Sequence, residues 1–317
     1  MKLQYVPILK AKKGEFDALK HASSSDKRRV IPLFEVPRFS KTVEAAKRFE
    51  GSTTKKRDYL LEIVEGIQGA WTQPDVMVDT FAWEPDDSVE TGESVVEFLH
   101  RELCGRGFSP IPVLGYDRLS SSEYLEAIRS LEPRPDGRFC LRLDSNAIDD
   151  SLDPEYLQSE IVDALLVIGV QPEKCVALID AGDVSGTSLD LLIEGLERVM
   201  TAMASFKFEV TVIASCSLPP SIDKAVPKRD SVGKVLRKEM LAWQTLSKVG
   251  SDRCIVYGDY GVRGPNSAVD IVTPDANGKI RYTIDRQYLI ARGHSNRQGN
   301  RGQQMFDPRN GSCAAIC

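Results

Sequence analysis

The sequence predicts one α/β domain built as a (β/α)8, TIM-barrel-like fold with an irregular C-terminal tail, and three observations predict it. Eight short β-prone runs recur along the chain, and most are followed by a stretch with helical spacing of apolar residues. The runs are near-continuously apolar, as strands covered on both faces of a parallel sheet must be. Together with their helices they fit the roughly 250 residues typical of such a barrel. A doubly wound open sheet is the alternative, because periodicity does not distinguish a closed sheet from one with edges. No GxGxxG follows the first run and no GxxxxGK stands before a Ser or Thr, which weakens the nucleotide-fold form of that alternative.

In chain order the predicted strands are "YVPIL" (5–9), "VIPLFEV" (30–36), "DVMVD" (75–79), "IPVLGY" (111–116), "FCLRLD" (139–144), "CVALID" (175–180), "EVTVIAS" (209–215) and "CIVYGDY" (254–260). Amphipathic spacing predicts helices over "SVVEFLHREL" (94–103), "EYLQSEIVDALLVIGV" (155–170) and "LDLLIEGLERVMTAM" (189–203). A long polar connection, "FSKTVEAAKRFEGSTTKK" (39–56), leads into the helix "RDYLLEIVEGIQGAW" and is expected to cover the pocket as a lid. From residue 281, "RYTIDRQYLIA" is expected to add a final strand and helix. The Gly-, Asn- and Arg-rich remainder lacks apolar periodicity and is expected to be a mobile tail or loop. The domain is thus placed at 1–291 and the tail at 292–317.

At 317 residues, with 42% hydrophobic and 27% charged residues, the chain can bury a full core. A net charge of -5 gives no specific nucleic-acid signal, and the basic set Lys12, Lys13, Lys20, Lys27, Arg28 and Arg29 reads as a solvated face. No run approaches the roughly 18 apolar residues of a membrane span, and the start is too weakly apolar for an export signal. Seven cysteines are scattered singly, several in predicted strands, which fits a reducing cytoplasm.

In barrels of this type the working groups converge at the C-terminal ends of the strands. Here those ends are Lys10, Glu35, Asp79, Tyr116, Asp144 with Arg142 two residues earlier, Asp180, Ser215, and Asp259 followed by Tyr260. Residues two apart share a strand face, so Arg142 and Asp144 are expected to point the same way. Carboxylates gathered so closely must bind a divalent cation, pair with Arg142 or Lys10, or rise in pKa into general-acid range. The competing reading is that each acid caps the helix that follows it. Asp150 and Asp183 are assigned to that capping or loop role. Histidine spacing excludes an HExxH zinc site, no GxSxG elbow occurs, and Cys216 in "ASCSLPPS" reads as a strand-end thiol, with a nucleophile beside its serines as the alternative.

Several of these stretches resemble the Beta protein family: "YVPILKAKKGEFDAL", "VIPLFEVP", the "LRLD" and "LID" strand ends, "ASCSLP", "VYGDYGVRGP" and "RYTI", in register over about residues 5 to 290. The resemblance implies a phage- or prophage-linked antitoxin or immunity protein that neutralises a toxic protein partner. It supplies no catalytic mechanism. The family pattern continues past "QM" into a further helix and strands, whereas here "GQQMFD" runs into "PRNGSCAAIC", so an altered or truncated end is expected.

Where the family-like motifs and the strand ends coincide, the candidate roles are as follows. Glu35, Asp144, Asp180 and Asp259 are acid–base groups or metal ligands, with Asp144, Asp180 and Asp259 as the metal set. Lys10, Lys12 and Arg142 are anion contacts, and Tyr260 is a hydrogen-bonding or stacking partner. Two functions follow from different classes: a contact antitoxin, implied by the resemblance, and a metal-dependent hydrolase of a phosphorylated or nucleotide-like ligand, implied by the ring.

Overall fold

Eight strands close on themselves in a computed structural model that describes residues 3–131, 138–249, 254–261, 264–266 and 277–295. They are β1 (Tyr5–Lys10), β2 (Leu33–Glu35), β3 (Asp75–Asp79), β4 (Ser109–Gly115), β5 (Phe139–Leu143), β6 (Cys175–Asp183), β7 (Val210–Cys216) and, after an intervening β8 (Ser231–Leu236), β9 (Ile255–Tyr260). All neighbours in the barrel run parallel, and β9 closes it by pairing with both β7 and β1. The doubly wound alternative is thereby excluded.

Side chains alternate along each strand, and the alternation sorts the core. One set, including Val6, Ile8, Leu33, Met77, Cys140 and Val212, packs inside the barrel. The other set meets the helices outside, around Phe34, Val76 and Trp71 on one side and Leu141, Ile179 and Ile213 on the other. Trp83 is buried as well, and Trp243 packs partly buried against the second of these outer clusters. Gly258 in "YGDY" has a packing reason: a Cβ there would lie 3.0 Å from the Ala214 Cβ and 3.1 Å from the Val6 carbonyl oxygen.

The helices at Val95–Gly105, Pro154–Ile168 and Leu189–Ala202 lie where periodicity placed them, and the one after the polar connection spans Lys55–Ala70. That connection is not a bare loop, since it forms a short helix at Lys41–Glu44 and a 3-10 turn at Lys47–Phe49. Ser94 starts its helix with a reciprocal capping box to Glu97.

The expected final strand and helix form a β-hairpin instead. β10 (Asn277–Ile284) and β11 (Gln287–Ser295) are antiparallel, joined by a two-residue turn in which Asp285 takes a φ of 38° that Asp tolerates better than most residues. β11 also pairs with β8, a strand the sequence reading missed, giving a separate sheet of order β10-β11-β8. The hairpin passes the domain boundary drawn at residue 291. Residues 296–317, expected to be a mobile tail, lie outside the described residues.

Polar groups hold the small sheet against the barrel wall. Arg237 Nη2 donates to Asp259 Oδ2 (3.1 Å) and its Nη1 donates to the Asp285 carbonyl (2.6 Å), while Tyr288 donates to Glu239 (2.5 Å). Breaking a buried ion pair costs about 3–5 kcal/mol. Arg237→Met is therefore expected to leave the barrel folded and to speed amide exchange in β8 and β11 selectively. Hydrogen exchange read by mass spectrometry checks this, and uniform acceleration would count against it.

Candidate functional site

The inward-facing positions at the C-terminal strand ends form one connected network around Arg142 of β5. Its Nη1 donates to Asp79 Oδ2 at 2.5 Å, and Nε reaches Asp180 Oδ2 at 3.0 Å. Nη2 lies 2.7 Å from Glu35 Oε1, 2.5 Å from Asp180 Oδ2 and 2.9 Å from the Tyr260 hydroxyl, which itself donates to Asp180 Oδ2 at 2.7 Å. Lys10 pairs with the other oxygen of Glu35, and Arg118 Nη2 donates to Asp79 Oδ1 at 2.9 Å. Backbone N–H groups of Phe81 and Gly182 complete Asp79 and Asp180 at 2.9 and 3.0 Å. Three cations thus face three carboxylates, all of them buried.

Electrostatics match that balance. Burial by itself would lower the pKa of Arg142, but Tyr260, Asp180, Glu35 and Asp79 hold it well above its ordinary value. Burial likewise opposes ionisation of Asp79, yet Arg118 and Arg142 outweigh it and keep that carboxyl below its usual 3.8. Phe81 roofs the network, with Lys10 Nζ 5.0 Å and the Arg142 guanidinium 5.4 Å from its ring centroid, although 40% of Phe81 remains exposed.

The predicted ring divides into three parts. Lys10, Glu35, Asp79, Arg142, Asp180 and Tyr260 come together. Asp144 does not join them: it follows the last residue of β5 and caps the helix Ser145–Asp150, accepting from the Asn146 and Ala147 N–H groups at 3.1 and 3.4 Å. Asp259 faces the opposite way from its neighbour Tyr260, as strand alternation requires, and sits outside the wall with Tyr5, Tyr257 and Arg237. The metal set Asp144, Asp180 and Asp259 is therefore dispersed, and among the described residues no group of three or more His, Cys, Asp or Glu side chains could hold a metal ion.

Other expectations resolve similarly. Tyr116 donates to Asp150 (2.8 Å), Asp183 accepts from the Ser185 N–H (2.9 Å), and Ser215 is buried next to inward-facing Ala214. Lys12 is half-buried and lines a groove of about 900 Å³ between the helices Lys13–Lys20 and Lys55–Ala70, apart from the Arg142 network. Burial pushes the Cys216 thiol up to about 12, so it is a protonated core group at neutral pH.

Sequence reading missed Arg118, Phe81, Arg237, Glu239 and Tyr288. Gly115 carried a signal for the first of these: a Cβ on it would lie 2.0 Å from Arg118 Nη2, so the glycine opens the path by which Arg118 reaches Asp79. The outer cluster had none, because Arg237 follows β8, Glu239 lies on the helix Lys238–Val249 and Tyr288 lies on β11, elements the sequence reading did not place.

Asp180→Ala is expected to cost about 3–5 kcal/mol, as for any partner removed from a buried ion pair. Asp144→Ala is expected to cost only about 1 kcal/mol, as a lost cap. Urea unfolding of both variants separates the two roles. Asp79 adds a pH signature: its contribution is complete above the unfolded carboxyl pKa of about 3.9 and is lost as pH falls through its lower folded value. Asp79→Asn should therefore flatten the acid limb of stability below about pH 4.

No curated protein matches the chain in sequence. Among solved structures, a GH18 chitinase from Pseudoalteromonas aurantia aligns with 10% identity and a TM-score of 0.42 over 68% of this chain and 94% of that one. HPPK-DHPS of Plasmodium falciparum aligns with 10% identity and a TM-score of 0.43 over 81% of this chain and 43% of that one. The family model described as Beta protein matches residues 5–310, nearly the whole length, and on that match the chain belongs to the Beta protein family.

Proposed function

We propose that this barrel is a binding protein, a phage- or prophage-linked antitoxin or immunity protein that neutralises a toxic protein partner by contact. One observation carries the choice over a metal-dependent hydrolase: each carboxylate inside the mouth already has a guanidinium or ammonium group at contact distance. A divalent cation there would have to displace Arg142 from three acids at once. Family membership supports the antitoxin reading. Cys104, Cys140, Cys175, Cys216 and Cys254 are all free thiols, which supports work in a reducing cytoplasm, and no helix among the described residues is long and apolar enough to cross a membrane.

Two measurements test this. Co-expression with each product encoded beside the gene is expected to identify one that stops growth alone and is tolerated with this chain. Thermal melts with EDTA, Mg²⁺, Mn²⁺, Ca²⁺ or Zn²⁺ are expected to coincide. A ligand at a hundredfold excess over its Kd would add about 2.7 kcal/mol and shift the midpoint by a few degrees. A metal-dependent rise that Asp180→Asn abolishes would move the assignment to the hydrolase.

A further inference from the structure

The small sheet buries one face and leaves the two outer strands of the other exposed, while on the middle strand Ala291 is buried and Gln287 and Leu289 are half-buried. Tyr288, Ile290 and Arg292 of β11 point inward and are buried. The opposite face can be read from the register, in which Val232, Lys234 and Leu236 of β8 lie across from Ala291, Leu289 and Gln287 of β11. These in turn lie across from Ile280, Tyr282 and Ile284 of β10. Residues paired across strands share a face, so the nine positions form three rows on one surface. Val232, Leu236, Ile280, Tyr282 and Ile284 are 36 to 54% exposed and make up five of the twelve exposed large hydrophobic residues of the described chain. Scattered apolar exposure is ordinary, but a contiguous apolar sheet face marks an interaction surface.

Charge defines what fits there. Lys234 is the one charged residue among the nine positions and lies in the middle row. It is exposed, and among the described residues no carboxylate pairs with it. Covering the face buries Lys234, and a buried ammonium without a counter-charge is strongly unfavourable. A second copy of the same face cannot supply the missing carboxylate, because the face contains none.

We infer that this outer face of β8, β11 and β10 is the surface that docks a different protein, one presenting an apolar patch with a carboxylate placed against Lys234. The inference rests on the contact reading proposed above and gives that contact a location. Tyr282 is the largest exposed side chain of the set, and tyrosine is one of the residue types enriched among interface anchors. The surface is independent of the Arg142 network, so it can be altered without disturbing the barrel core.

The test uses the full chain co-expressed with the growth-inhibiting product of the adjacent gene, scored by growth and by co-purification on a tag. Tyr282→Asp, Leu236→Asp and Lys234→Glu are each expected to melt within a degree or so of the parent, to lose rescue, and to weaken binding by roughly 30-fold or more. Leu166→Asp, on the helix Pro154–Ile168 and 72% exposed, is expected to rescue fully and controls for loss of any surface hydrophobe. If the parent rescues and the three folded variants rescue equally, the docking surface is wrong while the contact reading stands. If the parent rescues against no adjacent product, the contact reading fails and takes this inference with it. Sedimentation of the parent alone gives the remaining outcome: a dimer dissociated by Tyr282→Asp would assign the face to a second copy and overturn the inference.

Discussion

Burial of the Arg142 guanidinium sets the terms for the rest of the barrel. A guanidinium cannot lose its proton at any pH the fold survives, so its charge must be met by acceptors wherever the chain buries it. Three parallel strands bring those acceptors, Glu35 from β2, Asp79 from β3 and Asp180 from β6. Because each must face inward at the same height, the demand of one side chain fixes the register of strands far apart in sequence. At an effective dielectric of 20, one contact pair is worth about 4 kcal/mol before desolvation, so no single pair could carry the burial. A closed and charge-balanced set can, and Lys10 and Arg118 supply the balance that Arg142 alone would leave short.

Strand alternation then builds a second network from the residue next door. Tyr260 joins the inner set, while Asp259 is turned through the wall to meet Arg237 at the end of β8. The adjacent pair therefore ties the barrel mouth to the small sheet, which explains an acid and a phenol together at the end of a buried strand. Glu239 extends the outer set. Burial raises its pKa even though Ser217 and Tyr288 donate hydrogen bonds to it, so this side of the wall is less completely compensated than the mouth.

The barrel was legible because its signal is local: apolar runs of strand length alternate with helical spacing, and their count of eight favoured closure, which only the pairing of β9 with both β7 and β1 decides. The inward polar set was legible for the same reason, since a strand-end position can be read without knowing its partners. What the acids do was not legible. Asp144 and Asp180 both end a strand in "LD" or "ID", yet one sits beyond its strand as a helix cap and the other lies within β6. The hairpin was missed because "RYTIDRQYLIA" satisfies short helical and strand templates alike, and its partner "SVGKVL" ends 51 positions before β11 begins, with β9 between them in the chain, although Leu236 pairs with Gln287.

The two polar regions also differ in what they leave unanswered. Inside the mouth every formal charge has an opposite one within the fold, and such a cluster resists rearrangement because moving any member strands another. There each carboxylate is held by a guanidinium or ammonium group from another strand or turn. On the outer sheet the situation is reversed: apolar rows lie in solvent, and Lys234 carries a charge that no described carboxylate answers. A fold that pairs the formal charges of its barrel mouth while leaving one lysine among exposed hydrophobes concentrates apolar exposure and an unanswered charge on the same outer sheet.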